Sequence, residues 1–174
     1  KAVLQVSKAL KAMHDRGWSH GDIKNANILL RYNWSRPENI EAALADFDLA
    51  RKYKEDETLV SRGTPYNMAP ELFSKVGVKG PDAAKKIDVW SLGITIWCIM
   101  KGEKDPWWKD AEGVKNIPQL ASYISERGDE GIDKHFPERS DETSWQSVCR
   151  KMVRIDPSER MSMDDAIKAL EKLI

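Results

Sequence analysis

The feature that most constrains the fold is the run 86–101, which is apolar on every side of a helix. Its large apolar residues leave no polar stripe: Ile87, Val89, Trp90, Leu92, Ile94, Ile96, Trp97 and Ile99. A helix without a polar face has to be surrounded by other parts of the chain. The uncharged part of the run, 89–100, is too short to cross a bilayer. The sequence therefore predicts a central buried helix in a globular domain without a membrane span.

Periodicity elsewhere predicts that other elements surround this central helix. Apolar positions at helical spacing predict four amphipathic helices over 2–16, 118–127, 143–154 and 162–173. Two short apolar segments, 27–32 and 41–46, predict a pair of strands. The turn-forming residues between these segments are Asn33, Ser35, Pro37 and Asn39. The polar segment 47–67 has no clear period and predicts a long loop. The fold class expected is mainly α (α+β), a helical bundle carrying one short two-stranded β element.

Composition excludes several functional classes. The chain has 28 Lys+Arg and 28 Asp+Glu, so its formal net charge is zero, which argues against binding nucleic acid or an anionic membrane through bulk charge. With 32% charged and 41% hydrophobic residues it is neither a disordered tail nor a membrane bundle. Cys98 and Cys149 lie in apolar helical patterns and make no disulfide framework. A reducing cytoplasm is expected, or a host cytosol if the protein is a secreted effector.

Polar side chains are concentrated in the segment 20–27, which leads directly into the first predicted strand. Asp22, Lys24 and Asn27 can converge on one point if this loop curls. Asp46 ends the next predicted strand, so its carboxylate would face the Asn27 carboxamide. Oxygen ligands of this kind suit Mg²⁺. Phosphoryl transfer needs the same set: an acid that orients the attacking hydroxyl, a cation on the transferred phosphate, and oxygens that hold metal.

Five motifs that follow one another in family order resemble the C-terminal lobe of eukaryotic-type Ser/Thr protein kinases. The segments are the catalytic loop 20–27, the metal motif 46–48, the activation-segment end 63–66 with 69–71, the central helix 88–93 and the late loop 156–160. The resemblance covers nearly all of 1–174. It implies a kinase C-lobe with an activation segment over 46–71, a buried helix over 86–101 and C-terminal helices over 118–174.

The resemblance also implies the catalytic residues. Asp22 would orient the substrate hydroxyl and accept its proton, and Lys24 would steady the transferred phosphate. Thr64 would bridge Asp22 and Lys24. Lys24 and Thr64 both indicate Ser/Thr substrates, so the implied partner is a protein that offers such hydroxyls.

The nucleotide and metal ligands are implied in the same way. Asn27 and Asp46 would hold Mg²⁺, with Mn²⁺ as an alternative. Leu29 would lie under the adenine of ATP. Lys24, Asn27, Leu29 and Asp46 would together line the nucleotide site.

Other matching positions have structural roles in the family. His20 and Phe47 would stack in an internal spine anchored by Asp88. Glu71 and Arg160 would form a buried ion pair. In the loop between the metal motif and the end of the activation segment, the candidate phosphorylation sites are Thr58 and Ser61.

The chain departs from the family pattern at two positions. Gly21 replaces the arginine that usually precedes the catalytic aspartate and grips a phosphate on the activation loop. Activation by loop phosphorylation would therefore lack its main receptor. Asp48 replaces the glycine that usually follows Phe47, where glycine permits unusual backbone angles. Both changes bear on whether the parent protein is active.

No segment resembles the glycine-rich loop of the small lobe, and no G-x-G occurs in the sequence. The N-lobe is absent from this chain, and half of the nucleotide cleft with it. We expect an upstream lobe in the parent protein and little ATP binding or catalysis by this chain alone. The apolar surface around Leu29 and Phe47 would then be exposed on the cleft side, where the fragment could self-associate.

Two other functions remain open from the sequence. A small-molecule phosphotransferase of the aminoglycoside-kinase type shares the residues of 20–22, Asn27 and a motif like 46–48. Several features that this family lacks argue against it: Lys24, 63–71, 88–93 and Arg160.

The second alternative is a pseudokinase, a binding or scaffolding module that kept the fold. Gly21 and Asp48 favour this alternative. It is opposed by the four retained polar residues Asp22, Lys24, Asn27 and Asp46. A substrate screen separates the two kinds of phosphotransferase, and Mg²⁺-dependent turnover separates both from a pseudokinase.

Overall fold

The computed structural model describes residues 1–32, 35–36, 39–59, 61–74, 77–136 and 144–174. Within these ranges the chain forms α1 (Ala2–Asp15), α2 (Gly80–Lys101), α3 (Ile117–Asp133), α4 (Trp145–Met152) and α5 (Met163–Glu171). Each of the five predicted helices is present. The predicted start of the fourth helix at residue 143 lies outside the described residues. No helix in the described ranges combines the length and the apolar composition needed to cross a bilayer.

Helix α2 is the centre of the fold, as its apolar surface predicts. Every residue from Ile87 to Cys98 is buried. The helix begins six residues before the predicted boundary, since its first turns at Asp82 and Lys85 face outward and carry no continuous apolar signal. It ends at Gly102, whose φ of 70° gives the left-handed conformation that closes many helices.

The C-terminal helices pack closely against α2. A Cβ on Gly93 would come within 2.9 Å of the Met152 side chain at the end of α4, so glycine lets these two helices approach. Helix α3 has a break at Gly128, where φ is 57°. The predicted helix over 118–127 corresponds to the part before this break. Helix α1 packs against α5 and against the longest β ribbon.

The prediction of a single strand pair was wrong, because the described residues form three antiparallel pairs. The strands are β1 (Trp18–Ser19), β2 (Ile28–Tyr32), β3 (Ile40–Leu44), β4 (Arg51–Lys52), β5 (Thr58–Leu59) and β6 (Val78–Lys79). The pair β2–β3 matches the prediction, with Ile28 opposite Leu44. The other four strands have two residues each, too few to show an alternating pattern. Of the predicted turn residues, Asn33 and Pro37 lie outside the described residues.

Candidate active site

The catalytic loop is attached to the buried helix α2 through Asp88. This carboxylate is 1% exposed. It accepts hydrogen bonds from the backbone N–H of His20 (2.8 Å) and of Gly21 (2.9 Å), and His14 Nε2 lies 2.9 Å from Oδ2. Because α2 is surrounded by the core, this attachment gives the segment 20–27 a rigid base.

Asp22 is the centre of a hydrogen-bond network that unites three segments. Lys24 Nζ lies 2.6 Å from Asp22 Oδ2 and 2.9 Å from Thr64 Oγ1. The Thr64 N–H donates to Asp22 Oδ1 at 2.8 Å. Asn27 Nδ2 donates to the Asp22 carbonyl at 2.8 Å and lies 3.2 Å from Oδ2. The loop therefore curls so that Asp22, Lys24 and Asn27 converge. Thr64 contacts both Asp22 and Lys24.

The surroundings of Asp22 also determine its charge. Burial raises the pKa of this carboxyl, but the hydrogen bonds from Lys24 and Thr64 outweigh burial and leave the pKa below its ordinary value. Asp22 is therefore ionised at neutral pH. An ionised, positioned carboxylate is a hydrogen-bond acceptor suited to orienting a hydroxyl group.

The strand pair brings the two predicted metal ligands to neighbouring positions. The Ala45 N–H donates to the Asn27 carbonyl at 2.9 Å, which places Asp46 directly after the residue bonded to Asn27. The Asn27 amide nitrogen is directed at Asp22, so its oxygen remains for another ligand. Asp46 is exposed and has φ of 61°, the one positive φ of a non-glycine among the described residues. Asp is one of the residue types that tolerate this conformation.

These donors suit a hard cation. One carboxylate and one carboxamide fit Mg²⁺, which usually takes few protein ligands and completes its shell with phosphate oxygens and water. No cluster of three or more His, Cys, Asp or Glu that could hold a metal occurs in the described part of the chain. The arrangement therefore fits a metal shared with a phosphate better than a closed protein cage.

The residues of the predicted spine are in contact. The rings of His20 and Phe47 are 5.3 Å apart between centroids, and His20 Nε2 lies 3.1 Å from the Ala45 carbonyl. Asp48 is exposed, and its φ is not positive. The backbone freedom that glycine would supply at this position is therefore not used.

Leu29 stands apart from the Asp22 network. Its side chain is 60% exposed on β2, and Phe47, which directly follows Asp46, is 51% exposed. The structure thus leaves an apolar surface open next to the predicted metal ligands. A surface of this kind is typical of a site that another group covers.

Glu71 and Arg160 form the expected ion pair. The Arg160 guanidinium donates to both Glu71 carboxylate oxygens at 2.7 Å, and Nε donates to the Arg154 carbonyl at 2.8 Å. The Arg160 side chain is fully buried and that of Glu71 is 10% exposed. The pair therefore ties the late loop to the end of the activation segment.

Both candidate phosphorylation sites are exposed. Thr58 lies on β5 opposite Lys79 of β6. The Ser61 hydroxyl lies 3.9 Å from the Met68 sulfur.

The sequence interpretation missed Arg62. Its guanidinium donates to the Leu49 carbonyl and lies 3.4 Å from the Tyr53 hydroxyl. One signal could have indicated it: an arginine stands beside Gly63 and Thr64 in a chain where Gly21 has removed the usual arginine.

Comparison with known proteins identifies the family to which this fold and site belong. The family model of the protein kinase domain matches residues 1–170. The chain belongs to the protein kinase domain family. It is 28% identical to the ovarian-specific serine/threonine-protein kinase Lok of Drosophila melanogaster, with 95% of this chain covered. It is 37% identical over 90% of its length to mitogen-activated protein kinase kinase kinase 1 of Arabidopsis thaliana. A third relative, serine/threonine-protein kinase KIC1 of Saccharomyces cerevisiae, is 32% identical over 92% of the chain.

The chain is much shorter than these relatives. It spans 32% of the length of the first relative, 22% of the second and 13% of the third.

Proposed function

We propose that this chain is the C-terminal lobe of a Ser/Thr protein kinase that transfers the γ-phosphate of ATP to protein hydroxyls. The observation that carries the proposal is the network in which Lys24 and Thr64 hold an ionised Asp22. Two of the named relatives are serine/threonine-protein kinases, which supports the same substrate class, and the third is a mitogen-activated protein kinase kinase kinase. We also propose a reducing, cytoplasmic site of action, because Cys98 and Cys149 are free and buried.

In this proposal Asp22 receives the attacking hydroxyl of the substrate. Its lowered pKa makes it a weak base, so its main contribution is orientation, and it takes the proton late, when the new P–O bond is forming. Lys24 is within reach of the same hydroxyl and of the transferred phosphate, whose negative charge its ammonium offsets. Thr64 fixes both groups and thereby keeps the reacting atoms in line.

Asn27 and Asp46 would hold Mg²⁺, or Mn²⁺ in its place. Such an ion would offset negative charge on the nucleotide phosphates. Leu29 would support the adenine, which explains why a large apolar side chain is 60% exposed on β2. Lys24 would complete the contacts to the phosphates.

We further propose that an N-terminal lobe covers the apolar surface around Leu29 and Phe47. These side chains are 60% and 51% exposed, more apolar surface than a closed nucleotide cleft would leave open. Without that lobe the chain would bind ATP weakly, transfer little phosphate and could self-associate through this face. Light scattering tests the last point, and a monodisperse monomer would contradict it.

The test is phosphate transfer from labelled Mg-ATP to a generic Ser/Thr protein by the parent protein, with Asp22→Asn beside it. We expect the substitution to lower kcat at least about 1000-fold, since orientation and proton acceptance are both lost. The matched control is Asp164→Asn, because Asp164 has a side chain 63% exposed at the start of α5.

The outcomes separate the alternatives. Transfer that Asp22→Asn abolishes and Asp164→Asn retains supports a protein kinase. Transfer to an aminoglycoside but not to protein would indicate the small-molecule phosphotransferase. A folded parent protein that transfers phosphate to neither would indicate a pseudokinase.

A further inference from the structure

Gly21 and Gly63 bring the catalytic loop and the activation segment into direct backbone contact. Their φ angles are +80° and +103°, in the region that favours glycine. A Cβ on Gly63 would lie 2.7 Å from the Gly21 carbonyl oxygen, closer than a side chain allows. A Cβ on Gly21 would lie 3.0 Å from the Leu49 carbonyl oxygen. Three backbone segments therefore meet where the usual arginine side chain would begin.

The Leu49 carbonyl at this junction is the group that Arg62 binds. The Arg62 guanidinium donates to it through Nη2, and Nη1 lies 3.4 Å from the Tyr53 hydroxyl. Leu49 immediately follows the motif 46–48, and Arg62 is two residues before Thr64. One side chain thus joins the start of the activation segment to its end.

The cavity beside Gly21, Tyr53 and Arg62 is small, with room for about one water molecule.

The contact leads directly to the catalytic network. Thr64 donates its N–H to Asp22 and accepts from Lys24, and its position depends on the conformation of residues 62–63. We propose that Arg62 is a positioning residue that holds the activation segment against the catalytic loop without a phosphate on that segment. Asp22 and Thr64 then keep their catalytic geometry in the unphosphorylated protein. This statement about catalysis rests on the proposed function.

The two arginines near the candidate phosphorylation sites already contact other groups. Arg62 is occupied by a carbonyl and a phenol, and Arg51, which lies 4.8 Å from the Tyr53 ring centroid, is paired with Glu57. A phosphate on Thr58 or Ser61 would have to displace one of these contacts before it could bind either arginine.

The first experiment is hydrogen exchange on the 174-residue chain, which needs no activity. We compare the wild type with Arg62→Met, which keeps the length of the side chain and removes its donors, and with Arg62→Lys, which keeps the charge. The matched control is Arg127→Met. Arg127 likewise contacts a tyrosine and a backbone carbonyl: its guanidinium lies 3.6 Å from the Tyr123 ring centroid and donates to the Tyr123 carbonyl, far from this junction in sequence.

We expect exchange over 47–53 and 61–66 to become about 10-fold faster in Arg62→Met, because a charge-assisted hydrogen bond is lost there. Arg62→Lys should lie between this variant and the wild type. Exchange in α2 of Arg62→Met should match the wild type, which also shows that this variant folds. In Arg127→Met, exchange over 47–53 and 61–66 should match the wild type. Wild-type exchange over both segments in Arg62→Met would overturn the proposal.

The second experiment measures kinetics of the parent protein after phosphatase treatment. We expect the treated wild type to keep its activity and Arg62→Met to lose about 10- to 100-fold in kcat, with the KM for ATP within about 3-fold of its original value. Loss of activity on phosphatase treatment would overturn phosphate independence. A wild type inactive before treatment would contradict the proposed function instead, and the exchange data would still decide whether Arg62 holds the segment.

Discussion

The Arg160–Glu71 pair and the Lys24–Asp22 pair each join a basic side chain to a carboxylate, but their surroundings differ. Arg160 is fully buried and binds both oxygens of Glu71 together with backbone carbonyls. The Lys24 side chain is 27% exposed and its ammonium lies between Asp22 and Thr64. A buried pair with all donors used holds two segments permanently, whereas a pair at the solvent edge can exchange partners when a substrate arrives. The first pair is therefore an anchor, and under the proposed function the second is the working site.

The largest effect on stability is expected from breaking the anchor. Arg160→Met leaves the Glu71 carboxylate without its partner in a site that is 10% exposed. Removing one member of a buried ion pair costs about 3–5 kcal/mol of unfolding free energy. Urea denaturation of the chain measures this loss.

The control for this experiment is Arg127→Met, whose side chain is exposed and should cost less than about 0.5 kcal/mol. A loss below about 1 kcal/mol in Arg160→Met would contradict the interpretation of this pair as an anchor.

A smaller effect on stability is expected at the working site. Lys24→Met should lower the free energy of unfolding by about 1–3 kcal/mol, because it leaves the Asp22 carboxylate, whose side chain is 8% exposed, without its ammonium partner. The loss should stay below that of Arg160→Met, because Asp22 keeps the Thr64 N–H and the Asn27 amide as donors. Phosphate transfer by the parent protein should nevertheless fall about 100-fold, because the ammonium that offsets phosphate charge is gone. Lys168→Met, with a side chain 72% exposed on α5, is the control. Equal losses of stability in Lys24→Met and Arg160→Met would remove the distinction between the two pairs.

The sequence predicted the large helical elements because their signals are long. The run 86–101 is apolar on every side and therefore predicts a buried helix. The helix over 2–16 follows from the regular spacing of its apolar residues. Local spacing also predicted that Asp22, Lys24 and Asn27 can converge. The family resemblance, not the spacing, implied that Thr64 joins Asp22 and Lys24 from 40 residues away.

The parts that could not be predicted depend on backbone contacts between distant segments. Strands of two residues, such as β4 and β5, exist because a partner strand lies beside them, and no local pattern records that partner. The contact of Arg62 with the Leu49 carbonyl is of the same kind, since any residue at position 49 offers a carbonyl. Only the glycines at 21 and 63 indicate such a close approach. Their meaning becomes clear only when the structure shows which backbone segments they contact.

The smallest effect is expected from acidification, and it tests the charge state of the working site. The folded-state pKa of Asp22 lies below its unfolded value because hydrogen bonds from Lys24 and Thr64 outweigh the effect of burial. The unfolded chain therefore binds the proton first, at about pH 3.9, and the stability that ionised Asp22 supplies is lost as the pH falls through the folded-state pKa.

The measurement compares urea denaturation of the wild type and Asp22→Asn between pH 7 and pH 3. The variant has no carboxyl at this position, so the difference in unfolding free energy between the two proteins should be constant above about pH 5 and shrink below about pH 4. A difference that grew on acidification would mean that burial dominates at Asp22 and raises its pKa, contrary to this prediction.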